Sequence, residues 1–142
     1  MARFAISTRT SAVPTTVRGP SLYATTLVKP RIVEIGVFNT TATACAVAVN
    51  RATATGTQGA TLTEVGEGDD VQVAIATGFN THTADATVGA AIRQASLGAQ
   101  IGSGIIWTFE NLVLDNATTA GIVITCPTGT GQHLDFWITW IE

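Results

Sequence analysis

Charge is scarce in these 142 residues: Asp, Glu, Lys and Arg supply 12% of the chain, about half the usual share of roughly 25%. Coiled coils draw on abundant Glu, Lys, Leu and Arg, so that class is excluded. Long apolar runs are missing as well. No stretch reaches the about 18 consecutive apolar residues that a spanning helix needs, which argues against a membrane partner. Cysteine occurs twice, histidine twice and methionine once, too few for a disulfide-dense scaffold or a cluster of Cys and His ligands. Disorder is excluded from the other side. It needs low hydrophobicity and high charge, whereas 46% of this chain is hydrophobic. What fills the chain is Thr and Ala, 25 and 21 residues, nearly a third of the whole. The length suits one domain, and a chain of this size buries roughly two-thirds of its unfolded surface without staples.

The few charges are unevenly placed. Five bases (Arg3, Arg9, Arg18, Lys29 and Arg31) precede the first acid, Glu34; from Glu34 onward there are ten acids and only two bases, Arg51 and Arg93. A basic leader joined to an acidic body lies against something acidic: that body, a neighbouring subunit or an external partner. No aromatic between Phe4 and Tyr23 interleaves the bases, which argues against nucleic acid. Residues 1–31 also hold Pro14, Pro20 and Pro30. Each fixes φ and removes a donor, so the stretch reads as an extended basic N-terminal arm with a short strand at residues 4–8. Such arms gain order by lying on a neighbour. Residues 1–11 carry Arg3 and Arg9 without the apolar stretch of a secretory signal, and none is predicted. The sequons at Asn39 and Asn116 carry little weight without that route.

From Ile32 the apolar period becomes two, and residues 32–142 read as a β-sandwich domain. Val33, Ile35 and Val37 share one strand face; Cys45, Val47 and Val49 another; Val71, Val73 and Ile75 a third. Ile105, Trp107 and Phe109 make a fourth strand, Leu112 and Leu114 a short fifth, and Ile122, Ile124 and Cys126 a sixth. The last sets Leu134, Phe136, Ile138 and Trp140 against Asp135, Trp137, Thr139 and Ile141. Such alternation indicates half-buried strands, and β-branched residues suit a pleated surface. Glycine clusters at residues 56–59, 66–70, 102–104 and 127–131 supply the reversals. The expected fold is all-β, an antiparallel jelly-roll-like β-sandwich. Residues 84–100 read as loop with one possible turn of helix. Cys45 and Cys126, inside apolar runs, fit buried thiols better than a disulfide. Trp137 and Ile141 put large apolar groups on the second face of the last strand. Burying that face calls for another layer, intrachain or from a second subunit.

Catalytic and cofactor patterns fall short of their chemistry. Pro127-Thr128-Gly129-Thr130-Gly131-Gln132 ends like a phosphate loop, but the lysine position is Gln132 and a strand follows. A Cys126, His133 and Asp135 nucleophilic set lacks an oxyanion hole. His82, Asp85 and His133 lack metal-ligand spacing, and Glu67, Asp69 and Asp70 lack the alternating oxygens of a calcium loop. The sequence predicts no enzyme and no cofactor or metal.

Four segments share a wider pattern: Gly102-Ser103-Gly104-Ile105-Ile106-Trp107-Thr108-Phe109, Gly121-Ile122-Val123-Ile124, Pro127-Thr128-Gly129-Thr130-Gly131-Gln132, and the closing Phe136-Trp137-Ile138-Thr139-Trp140-Ile141-Glu142. Together they resemble head decoration (capsid cement) proteins of tailed bacteriophages, over about the last 45 residues. The resemblance implies a structural virion protein, β-rich and often a homotrimer, bound to the major capsid protein on the outer capsid surface. It carries over no catalytic residue. Arg3, Arg9, Arg18 and Arg31 are then the expected capsid or subunit contacts, with Trp137 and Trp140 closing the subunit interface. A tail- or head-associated carbohydrate-binding β module is the alternative, and would favour surface aromatics with polar neighbours.

Overall fold

Leu134, Phe136, Ile138 and Trp140 alternate along the last strand, and the structure, a computed structural model, buries all four. It describes residues 1–11, 17–68 and 72–142. Its elements are β1 (Arg3–Arg9), β2 (Ser21–Tyr23), β3 (Arg31–Asn39), β4 (Cys45–Ala54), β5 (Val65–Gly66), β6 (Thr77–Phe79), β7 (Thr87–Leu97), β8 (Gly104–Val113), β9 (Gly121–Thr128) and β10 (Leu134–Ile141). They form two five-stranded antiparallel sheets packed as a β-sandwich. The first sheet runs β5-β1-β10-β3-β8 and the second β6-β2-β9-β4-β7. Among the described residues there is no helix.

One continuous core fills the space between the sheets. Phe4, Ile6, Ile35, Val37, Trp107 and the inward face of β10 supply it from the first sheet. Leu22, Val47, Val49, Ile122, Ile124 and Cys126 supply it from the second. Burial of this many branched side chains is the main driving force for the fold.

Among the described residues no extended N-terminal arm is seen. Residues 3–9 lie within the first sheet, paired to β10 from Arg3↔Ile141 through Arg9↔Asp135. Residues 21–23 lie within the second sheet, between β6 and β9. Phe4 and Ile6 point into the core, while Arg3, Ser7 and Arg9 face out. Pro20 and Pro30 fall between strands, where a missing N–H costs no ladder bond; Pro14 lies outside the described residues.

Other strands depart from the simple alternation for local reasons. Ile32 and Glu34 face the adjacent residues Trp140 and Thr139, so Val33 is an extra, bulged residue and Ile32 takes its place in the core. A bulge of this kind flips the faces that follow or precede it. Residues 72–76 form no strand: Val73 is 85% exposed and Ile75 43%, while Val71 lies outside the described residues. The stretch read as loop or helix holds β7 instead, an edge strand rich in exposed Ala and Gly. Its small side chains leave almost no periodic signal. The separate fourth and fifth strands are one, β8.

Candidate interaction face

Sheet register decides which of the candidate contact residues meet. On the outer face of the first sheet, Arg9, Asp135, Phe38 and Gly104 align in one row across four strands. The next outward row is Ser7, Trp137, Gly36 and Ile106. At the far end stand Arg3, Ile141, Arg31 and Val113. Arg3, Arg9, Arg31 and Trp137 therefore share one face, although the first and last are 134 positions apart in the chain.

Trp137 and Phe38 form the apolar centre. Their rings stack with centroids 5.3 Å apart and planes 22° from parallel. Each lies on a glycine of the neighbouring strand. A Cβ at Gly36 would come within 2.3–2.5 Å of three Trp137 ring carbons, and one at Gly104 within 2.2 Å of the Phe38 ring. The glycines thus let both rings lie down on the sheet. The Trp137 indole N–H donates to Glu34 Oε1 at 2.7 Å, which fixes its orientation. Ile106, 50% exposed, and Ile101, 77% exposed, extend the patch. A groove of about 350 Å³ runs here between Arg9, Phe38, Thr40, Ile101, Asp135 and Trp137.

Charges rim the patch. Arg9 donates twice to Asp135, Nε to Oδ1 at 2.7 Å and Nη2 to Oδ2 at 3.0 Å. These hydrogen bonds raise the Arg9 pKa and hold the Asp135 carboxyl below its ordinary value. Arg3 pairs with Glu67 at 2.5 Å, and among the described residues Arg31 is in no ion pair. Lys29 reaches Asp115 at 3.6 Å. The basic leader is thus largely answered by acids of its own body. Exposed pairs of this kind contribute little stability, so the charge asymmetry alone does not require a partner.

Two candidates stand elsewhere. Trp140 is 0% exposed, its ring 5.8 Å from Phe4 in the core. Its expected place at a subunit interface gives way to packing inside its own chain, because the inward face of β10 is filled by the second sheet. Its indole N–H is buried without a partner among the described residues. Arg18 belongs to the other side of the sandwich, bound to Asp85 at 2.6 Å.

The groups considered for catalysis do not assemble. Cys126 points into the core, Asp135 faces out to Arg9, and His133 Nδ1 meets the Thr10 carbonyl at 2.7 Å. His82 is buried between the Gly19 carbonyl and the Tyr23 hydroxyl, each 3.0 Å away. Its Nδ1–H donates to the carbonyl, so Nε2 accepts from Tyr23. Burial lowers the His82 pKa and pushes Tyr23 up to about 12. Gln132 of the glycine-rich turn is structural: it accepts from Thr130 N at 2.8 Å and donates to Thr43 O at 3.0 Å. Among the described residues no group of three or more His, Cys, Asp or Glu is placed to hold a metal.

Phe38, Ile106 and Gly36 were not singled out in sequence. Phe38 alternates correctly with Val37, but only the register shows that it meets Trp137. No family model matches the chain, and neither a curated protein nor a solved structure is significantly similar to it.

Proposed function

We propose that this chain is a structural virion protein, a head decoration protein that binds the outer capsid surface of a tailed bacteriophage. The resemblance of its C-terminal segments motivates the reading. Those segments fall on β8, β9, the β9–β10 turn and β10, that is, on the central strand of each sheet and one edge strand of the first. The strand order supports a jelly roll, a fold shared by many capsid and lectin domains. With the short β5 and β6 set aside, one sheet holds the first, eighth, third and sixth strands and the other the second, seventh, fourth and fifth.

The observation that carries the reading is the collection of Arg3, Arg9, Arg31 and Trp137 on one outer face. A flat aromatic centre with a charged rim is the anatomy of a protein contact. The contact is with the major capsid protein, and trimerisation multiplies a modest single-site affinity. Purified chain mixed with expanded empty heads of the tailed phage that encodes it co-sediments with them. Trp137→Ala reduces binding at least about tenfold, the scale of a central aromatic anchor. Heads that pellet without the wild-type chain overturn the reading.

A second reading has its own support. Trp137 and Phe38 present flat ring faces beside the Glu34 and Asp135 carboxylates. Such faces suit the apolar side of a pyranose ring, with carboxylates accepting from its hydroxyls. Binding on a glycan array that Trp137→Ala abolishes, without binding to heads, selects this carbohydrate-binding role.

A further inference from the structure

Cys45 opens β4 and Cys126 lies in β9, its hydrogen-bonded neighbour in the second sheet. Both are free and buried on the inward side of that sheet. The register between these strands shifts from Ala46↔Thr128 to Ala48↔Thr125, leaving an extra residue in β9 at Cys126 and Pro127. This irregularity places both residues beside Gly129 of the glycine-rich turn. A Cβ placed on Gly129 would lie 3.1 Å from the Cys45 Cβ and 3.2 Å from the Cys126 Sγ. The Cys126 thiol donates to the Thr128 carbonyl at 3.3 Å, and each thiol perturbs the ionisation of the other. They are the only cysteines in the chain.

We propose that Cys45 and Cys126 are a latent disulfide, closed by exchange with a low-molecular-weight disulfide such as oxidised glutathione. This inference is independent of the proposed function. One thiolate attacks the reagent, breaking its S–S bond, forming a mixed disulfide and releasing one reduced thiol. The second thiolate attacks the protein sulfur of that adduct, forms the Cys45–Cys126 bond and releases a second reduced thiol. Two electrons pass to the reagent, and the two cysteine protons end on the released thiols.

The buried setting makes the reaction slow rather than forbidden. Burial raises the Cys45 pKa, and burial together with Cys45 raises that of Cys126 to about 12. Little thiolate is present in the closed protein. The Gly129–Gly131 turn covers the pair, so entry of reagent follows its local opening. Once one sulfur is modified the other is its nearest nucleophile, and the second step is intramolecular. The bond closes a loop of about 80 residues, a span for which cross-linking removes much unfolded-state entropy.

The test uses the wild-type chain, incubated with oxidised glutathione in mildly alkaline buffer, then acid-quenched, unfolded and alkylated. Intact mass lower by two hydrogens, with no alkyl groups added, is expected, and the product melts about 10 °C higher than the reduced protein. Reduction with a dithiol restores two alkylatable thiols. Two alkyl groups after long incubation at a temperature where the turn opens overturn the proposal, as do glutathione adducts that never resolve.

Discussion

Phe4 and Ile6 provide the sharpest test of where the N-terminal segment belongs. Both side chains are buried, Ile6 wholly and Phe4 to within 2%. Phe4 packs on Trp140, and β1 pairs with β10 along its whole length. Truncating a buried Phe or Ile to Ala costs about 2–5 kcal/mol each through lost transfer energy and the cavity left behind. The two sites share one face, so their effects do not add fully. The double variant Phe4→Ala/Ile6→Ala therefore loses about 5–8 kcal/mol, comparable to the whole stability of about 5–15 kcal/mol for an ordinary domain. Urea unfolding followed by tryptophan fluorescence reads this directly. At a slope of about 1–3 kcal/mol per molar, the midpoint falls by about 2 M or more, or the variant is unfolded in buffer. Ile6→Val, at about 1 kcal/mol, gives a folded intermediate point. An unchanged midpoint in the double variant would mean that the segment is a dispensable arm. Deleting residues 1–11 should likewise unfold the body, the reverse of what an arm predicts.

Three further outcomes follow from the same contacts. Gly36→Val drives a side chain into the Trp137 ring and should cost about 1–3 kcal/mol in urea unfolding while lifting Trp137 off the sheet, seen as a change in its fluorescence. His82 is neutral in the fold with a lowered pKa, so the unfolded chain binds its proton first; stability is full above about pH 6.5 and falls as pH drops below it. His82→Phe should remove that fall from melting curves between about pH 6.5 and 5, with Arg18 and Asp85 still paired beside the site. Asp135 has a lowered pKa through Arg9, so its contribution is present above its unfolded value near 3.8 and lost as pH falls through the lower folded value. Asp135→Asn should then melt slightly below wild type at neutral pH and together with it in strong acid.

The parts of the fold legible in sequence are those where large inward side chains recur at every second position, even where, as in β4 and β9, the other face is covered too. In β4 and β9 inward Val and Ile alternate with smaller or polar residues, in β10 Leu134, Phe136, Ile138 and Trp140 keep the same period, and the structure follows them. Where both faces are wet or the side chains are small, the signal fails. Thr87–Leu97 is the case in point: an edge strand whose Ala and Gly residues record neither face. The converse error is Val73 and Ile75, β-branched residues that stay exposed. There the Ile75 and Ala76 amides donate to the Glu142 carboxylate instead of to a strand, the second at 3.1 Å. Val33 shows that one bulge shifts a pattern by a residue, which no single-strand reading detects. The interaction face was legible only as residue types. Arg3, Arg9, Arg31 and Trp137 have the right chemistry for a contact, but their meeting depends on which strands neighbour which, and that is a property of the sheet.

Electron cryomicroscopy of expanded heads incubated with the chain tests the functional proposal most directly. Density for three copies at the local three-fold positions, with the Trp137 and Phe38 face of the first sheet turned against the capsid or an adjoining copy, is the expected result. Bare heads at saturating concentrations of protein, or copies held with that face open to solvent, would contradict it.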